Sequence, residues 1–235
     1  DLHLGGEDLI FPHHEDEIAQ SEGVTGEPFV KHWLHGAHLL VEGKKMSKSL
    51  GNFFVLKDLL GKGFEGREIR QLMISAHYRE TFNFTLSGLE GARKAMARID
   101  ECISKLREAA GDTTAEVATE VIETFTAALD DDLNVSSAWA VVFDWVRDCN
   151  RRLAEGAMGP TVAATELAAW ERIDTVLGVG RIEEEAPSEF TALLVERTEA
   201  REAKDFARAD AIRDKLTAAG WTIEDTSKGP RLKHL

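Results

Sequence analysis

The stretch VEGKKMSKSLGN at residues 41–52 sets Lys45 and Lys48 three positions apart between Gly43 and Gly51. Two ammonium groups at that spacing repel one another. Their placement makes most sense if a polyanion, a polyphosphate above all, neutralises both, and flanking glycines let such a loop swing over a ligand and close. The alternative is a solvated basic turn. Upstream, HWLHGAHLLVEG (residues 32–43) reads as one or two strands entering the loop. Downstream, residues 54–90 read as short helices joined by tight turns, so the loop lies in an α/β segment.

Further out, PHHEDEIAQSEG (residues 12–23) predicts an acidic helix with Pro12 at its first position and Gly23 as its C-cap. Beyond residue 86 the period is helical: Leu89, Ala92, Met96, Ile99, Ile103 and Leu106 lie three or four apart. Further helices are predicted over 115–129, 136–155 and 161–177, together forming an antiparallel bundle. GVGRIEEEAPSE (178–189) reads as a linker. The end reads as a helix to about 203, a second from 205 to 219 turning Phe206, Ala209, Ile212 and Leu216 inward, and a hairpin after Gly220. Trp221 reads as core. In DDDLNVSS (130–137), Asp132 or Asn134 suits an N-cap, and the acids there read as structural.

The 235 residues suit two or three small units: 43% are apolar, 30% are charged and five are proline. No run approaches the roughly 18 apolar residues of a membrane span, and no basic start precedes an apolar run. The net charge of −14 argues against indiscriminate polyanion binding, so a nucleic acid would have to meet local positive patches. Cys102 and Cys149 fall in helical patterns without metal-site spacing, which favours a reducing cytoplasm. DLHLGGEDLIF at the start reads as the inside of a domain, so a truncated chain is expected.

KMSKS followed by LGN resembles the signature loop of class I aminoacyl-tRNA synthetases, which closes on ATP and stabilises the departing pyrophosphate. LHLGGEDLIFPHHEDEIAQSE, FVKHWLHGAHLLVEGKKMSKSLGNF, LMISAHYRETFNFT, ALDDDLNVSSAWAVVFD and AREAKDFARADAIRDKLTAAGWTIEDTSKGPR are similar, in order, to the cysteinyl-tRNA synthetase family. The resemblance covers nearly the whole chain. It implies an α/β fold, the second half of a Rossmann-like catalytic domain over 1–53, a connecting region over 54–90, a helical anticodon-binding bundle over 91–180 and a small anticodon-recognition domain over 188–235. The family's HIGH motif would lie before residue 1. HGAH at 35–38 resembles it only superficially, and His35 and His38 receive no catalytic role.

The resemblance implies ATP with Mg2+, L-cysteine and tRNA(Cys) as substrates, and a cytoplasmic monomer. Lys45 and Lys48 would act in catalysis, and Gly5, Gly6, Asp8, Lys45, Met46, Ser47, Lys48 and Ser49 would bind ATP. The family usually has glycine where this chain has Leu4, which adds a side chain near the nucleotide. His3 matches a family histidine beside the amino-acid pocket; read alone, it is a strand-end histidine. His13 and Glu17, four apart on a predicted helix, can offer two ligands from one face; read alone they are an exposed pair. In the family the matching residues bind Zn2+, with two cysteines that precede this chain's start, so a half-site with weak zinc binding is expected. His14 reads as a packing or supporting residue, and Glu15 and Asp16 as solvated.

Arg201, Asp210 and Asp225 match family positions that read the anticodon. An arginine suits guanine acceptors and a carboxylate suits amino groups such as cytosine's; without the resemblance each is a surface ion-pair partner. Lys228, Arg231 and Lys233 would contact phosphates. The sequence thus predicts a portion of a cysteine--tRNA ligase, itself inactive. The rival readings are a tRNA-binding fragment or paralogue without catalysis, and a cysteine:aminosugar ligase, whose relatives should lack the 189–235 unit.

Overall fold

The computed structural model describes residues 1–117, 119–181, 186–226 and 229–234, without the side chains of Lys48, Thr119, Glu224, Asp225, Thr226, Arg231, Lys233 and His234. The chain divides into two compact units, residues 1–180 and 181–235. Lys228 lies outside the described residues.

The first unit opens with strand β1 (Leu2–Gly6), helix α1 (Glu15–Thr25) and strand β2 (His32–Gly36). β2 runs parallel to β1 in a register from Leu2↔His32 to Gly6↔Gly36. Parallel neighbours need a crossover, and α1 supplies it. The structure corrects both predicted ends of this helix. Pro12 lies in an irregular turn, Ile10–His14, in which Phe11 has extended φ/ψ, so regular helix begins only at Glu15. At the other end Gly23 is interior. A glycine there weakens a helix without ending it, whereas Gly26 takes the left-handed φ of 71° that closes it, its N–H donating to the Glu22 carbonyl.

Three strands form a second sheet in the order β4 (Lys44–Lys45), β3 (Leu39–Val41), β5 (Phe82–Phe84). β4 returns antiparallel to β3, while β5 joins it parallel. Its crossover contains α2 (Leu56–Gly61) and α3 (Gly66–Met73). Val41, Leu59, Phe64, Leu72, Phe84, Leu89 and Ala92 bury together beneath this sheet.

Four long helices complete the unit: α4 (Leu86–Ala110), α5 (Thr119–Asp130), α6 (Val135–Ala154) and α7 (Pro160–Leu177). α5 begins at Thr119 rather than 115. The Thr85 hydroxyl caps α4 by accepting from Gly88 N at 2.9 Å, and Pro160 opens α7, where its missing N–H costs no bond. All six apolar positions read from the α4 period are buried. Leu89 and Ala92 belong to the core beneath the second sheet, while Met96, Ile99, Ile103 and Leu106 meet Trp139, Val142, Trp145, Val146, Trp170 and Ile173 in the bundle core. The Glu166 carboxylate inside this bundle is satisfied at both oxygens, by Trp145 Nε1 and Arg152 Nη1, each at 2.8 Å. Cys102 and Cys149 are buried free thiols, and the hydrogen bond with Cys102, together with burial, pushes the Cys149 thiol up in pKa. Both pack, as thiols in helical cores do. Of the two candidate caps for α6 the structure takes Asn134, whose Oδ1 accepts from Ser137 N at 3.1 Å.

The second unit holds α8 (Ser188–Glu202), α9 (Phe206–Ala218) and an antiparallel hairpin of β6 (Trp221–Thr226) and β7 (Gly229–His234). Ile212, Leu216 and Trp221 form its centre, with Phe190, Leu193, Ile223 and Leu232 against them. Ala209 is buried as expected, but Phe206 is exposed. It is the first residue of α9, past the Asp205 cap, and so lies at the extreme end of the buried stripe.

Among the described residues no helix is long and apolar enough to cross a membrane.

Candidate functional site

The lysine segment is a hairpin followed by one 3-10 turn. Glu42 and Gly43 both take positive φ, 51° and 73°, which turns β3 back into β4 in two residues with the twist a tight hairpin needs. That turn is fastened to its neighbour β5. Gly43 N donates to Asn83 Oδ1 at 2.8 Å, Glu42 N donates to the Phe84 carbonyl at 3.0 Å, and the Glu42 carboxylate accepts from Leu86 N at 2.9 Å. Past β4, Asn52 staples the loop to its own stem. Its Oδ1 accepts from Ser47 N at 2.9 Å, and its Nδ2 donates to the carbonyls of Val41 and Lys45, each at 3.2 Å.

Lys45 therefore stands exposed at the end of a short strand. Met46 packs partly on the core beneath the sheet. The Ser47 and Ser49 hydroxyls bond one another at 2.7 Å. The backbone of Lys48 begins the 3-10 turn Lys48–Leu50, which Gly51 closes at φ 67°. Sequence reading singled out the lysines and missed Asn52 and Asn83, although LGN was part of the motif string.

The second cluster gathers at β1, β2 and the start of α1. His3 Nε2 lies 3.1 Å from Glu17 Oε2. That oxygen is buried and accepts no hydrogen bond of acceptable geometry. The His14 ring is buried, with Nδ1 2.8 Å from His35 Nε2, and Trp33 and Phe29 wall the cluster. His3, His14 and Glu17 can bring one ligand atom each within 4.8 Å of one another. His13, paired with Glu17 from its spacing, is exposed and outside this group. It precedes the regular helix, so the i, i+4 rule does not set its direction.

The glycines of β1 have local tasks. A Cβ on Gly5 would stand 2.5 Å from His14 Cε1 and 2.9 Å from His14 Nε2, so only glycine lets the imidazole lie against this strand. A Cβ on Gly6 would meet Asp8 Oδ1 at 2.5 Å, because the exposed Asp8 carboxylate folds back over the strand end. Leu4 is largely exposed. His38 pairs with Glu7 at 2.8 Å.

In the second unit, Arg201 lines a groove with Arg197, Thr198, Glu202 and Pro230. Asp225 on β6 is the Cα partner of Pro230, which puts its backbone beside that groove. Asp210 lies exposed on α9 and pairs with Arg213 at 3.1 Å. Arg231 and Lys233 lie on β7.

Three family models match successive parts of this chain: tRNA synthetases class I (C) catalytic domain over residues 1–94, DALR domain over 124–179, and cysteinyl-tRNA ligase anticodon binding domain over 183–230. The chain belongs to the cysteinyl-tRNA synthetase family. It is 43% identical over 243 residues to the cysteine--tRNA ligase of Chlamydia pneumoniae, covering all of this chain and 51% of that protein. It is likewise 43% identical over 245 residues to the enzyme of that name in Symbiobacterium thermophilum, covering 98% and 52% respectively. The chain thus spans about half the length of the curated relatives it matches. Among solved structures, a leucyl-tRNA synthetase (LeuRS) chain of Agrobacterium radiobacter K84, in a ternary complex with tRNA and LeuAMS, matches 74% of this chain with 25% of its own. Its TM-score is 0.57 at 20% identity, a likeness of fold.

Gly5→Ala tests the packing of the histidine cluster. The added methyl must displace the His14 ring, so unfolding free energy in urea should fall by about 1–3 kcal/mol, and the imidazole nitrogen shifts of His14 and His35 should separate from their coupled values. Unchanged stability and shifts would show that His14 does not rest on β1.

Proposed function

We propose that the complete polypeptide carrying this chain activates L-cysteine with ATP and Mg2+ and transfers the cysteinyl group to tRNA(Cys), residues 1–53 supplying part of the catalytic domain. The observation that carries this reading is the stapled hairpin, which holds Lys45 exposed beside the 3-10 turn that starts at Lys48. In the first step the cysteine carboxylate attacks the α-phosphorus of ATP, an acyl-phosphate bond forms, and pyrophosphate leaves with its charge. Lys45 and Lys48 stabilise that developing charge, fixed donors being worth most where charge grows in the transition state. Ser47 and Ser49 supply hydroxyls along the same turn, and Met46 ties the loop to the core. Gly5, Gly6 and Asp8 flank the nucleotide, with the Asp8 carboxylate available to ribose hydroxyls.

Zinc suits the histidine cluster. A buried carboxylate oxygen without a hydrogen bond, facing an imidazole nitrogen at 3.1 Å, supports this reading, since the two atoms could serve as zinc ligands. Glu17 is the common ligand in our reading. The family resemblance gives it His13 as partner, while the geometry offers His3 and His14. The His14 ring is already engaged by His35 and Gly5, which suits it to holding the cluster in shape. A bound zinc ion would supply a soft Lewis acid for a thiolate, a preference no hydroxyl matches. That addresses the choice of cysteine over serine, which pocket shape alone separates by only about 1–3 kcal/mol. His3 then stands beside the amino-acid pocket.

Arg201, Asp210 and Asp225 read the anticodon in this proposal. The groove beside Arg201 supports it with an arginine and a carboxylate on one wall, able to donate to and accept from the edge of an unstacked base. The chain by itself is expected to bind RNA without activating cysteine.

Lys48→Ala in the complete polypeptide should slow cysteine-dependent ATP–pyrophosphate exchange by roughly two to three decades; an unchanged rate would remove the lysine from the mechanism. Glu17→Gln should abolish stoichiometric zinc retention after dialysis, read by metal analysis, whichever histidine completes the site. Full retention would place the metal elsewhere.

A further inference from the structure

The segment between α3 and β5 is bolted at both ends. On the bundle side, Trp139 Nε1 donates to the Ile74 carbonyl at 3.1 Å and the Ser136 hydroxyl donates to the Ser75 carbonyl at 3.0 Å. Next along, the Tyr78 hydroxyl donates to Asp132 Oδ1 at 2.6 Å, and Arg79 donates to the same carboxylate through Nε at 2.5 Å and Nη2 at 3.3 Å. On the sheet side, the Tyr78 carbonyl accepts from Ala37 N at 2.7 Å, and Phe82 N donates to the His38 carbonyl at 3.0 Å. Ala37 and His38 are the two residues between β2 and β3. One residue, Tyr78, thus touches the bundle corner with its side chain and the entry to the lysine hairpin's strand with its backbone.

Asp132 is an unusual residue for its place. It and Leu133 take left-handed φ, 53° and 54°, in the turn between α5 and α6. Such backbone costs a non-glycine residue energy and persists where its surroundings fix it. Glycine would fit more easily; the carboxylate is what glycine lacks. Asp132 does not cap α6, since Asn134 does so.

We propose that Asp132 is a positioning residue: through Tyr78 and Arg79 it sets the place of the β2–β3 junction, and so of the Lys45–Lys48 loop, from the helical bundle. The cost of removing it falls on loop placement, because an ion pair this exposed adds little to global stability. This inference rests on the proposed function for its catalytic consequence and stands without it for its structural one.

The groups facing Tyr78 are Asp132, Arg79, whose guanidinium lies 5.0 Å from the ring centre, and His77, stacked on it at 4.9 Å. The hydrogen bond to Asp132 raises the phenol's pKa, and Arg79 opposes part of that rise. Tyr78 is the only tyrosine in the sequence, so the ultraviolet absorbance of tyrosinate reports it alone.

The test variant is Asp132→Gly, which keeps the left-handed turn without steric cost. In this chain the phenol should titrate above the ordinary value of about 10, and the variant should bring it back toward that value. Amide exchange at Ala37 and Phe82 should quicken by about tenfold, while the α4 core positions stay protected. In the complete polypeptide, kcat of cysteine-dependent pyrophosphate exchange should fall on the order of tenfold, as for slight misplacement of a catalytic group, with the KM for ATP within about twofold. Asp132→Asn, which keeps the backbone preference and an acceptor for Tyr78, should recover most of it. Unchanged exchange at Ala37 and Phe82 overturns the inference outright. Faster exchange with unchanged kcat overturns its catalytic half. A wild-type polypeptide that never activates cysteine defeats the proposed function instead, and the amide and phenol arms still decide the joint.

Discussion

Everything the lysine loop can do depends on strand β3 being held on both edges. It pairs antiparallel with β4, which carries Lys45 and leads to the turn that starts at Lys48, and parallel with β5, which leads into α4. A two-stranded hairpin alone is marginal in water. Here β5, through Asn83 and the Phe84 carbonyl, takes up the N–H groups of the turn, and the Glu42 carboxylate reaches across to the first N–H of α4. The repulsion between neighbouring ammonium groups is thereby borne by a stem fixed to the core through Val41 and Phe84, both nearly inaccessible to solvent.

Parallel pairing has a second consequence. β5 can lie beside β3 only after a long crossover, and that crossover runs through α2, α3 and residues 74–81. It must therefore pass the bundle, and at the corner between α5 and α6 it meets Ser136, Trp139 and Asp132. Arg70 of α3 adds a further tie by donating to the carbonyls of Val176 and Leu177 at the end of α7. Topology thus brings the lysine loop and the helical bundle into one hydrogen-bonded unit.

The bundle was legible because burial on a helix repeats every three or four residues, and all the α4 positions so chosen are interior. The hairpin of the second unit was legible from Gly220 and its alternating strands. Local signals failed where competing residues satisfied the same rule. Gly23 and Gly26 could each end α1, and the choice falls on the one whose φ is left-handed. His13 and His14 both precede an acidic helix, and an irregular turn buries the second, a feature no period announces. Asn52, Asn83 and Asp132 act through partners between 5 and 54 residues away, and a single sequence carries no mark of such pairings. Gly5 and Gly6 were read toward a nucleotide, yet their missing side chains first make room for His14 and Asp8.

The claim that β5 holds the lysine hairpin in place is tested most directly by native-state amide exchange at Gly43 in this chain and in its Asn83→Ala variant. The account predicts that Gly43 is protected to the same degree as the β3–β5 amides and loses that protection in the variant. A Gly43 amide exchanging at the rate of free peptide in the unaltered chain would show a hairpin that opens on its own, contrary to the account.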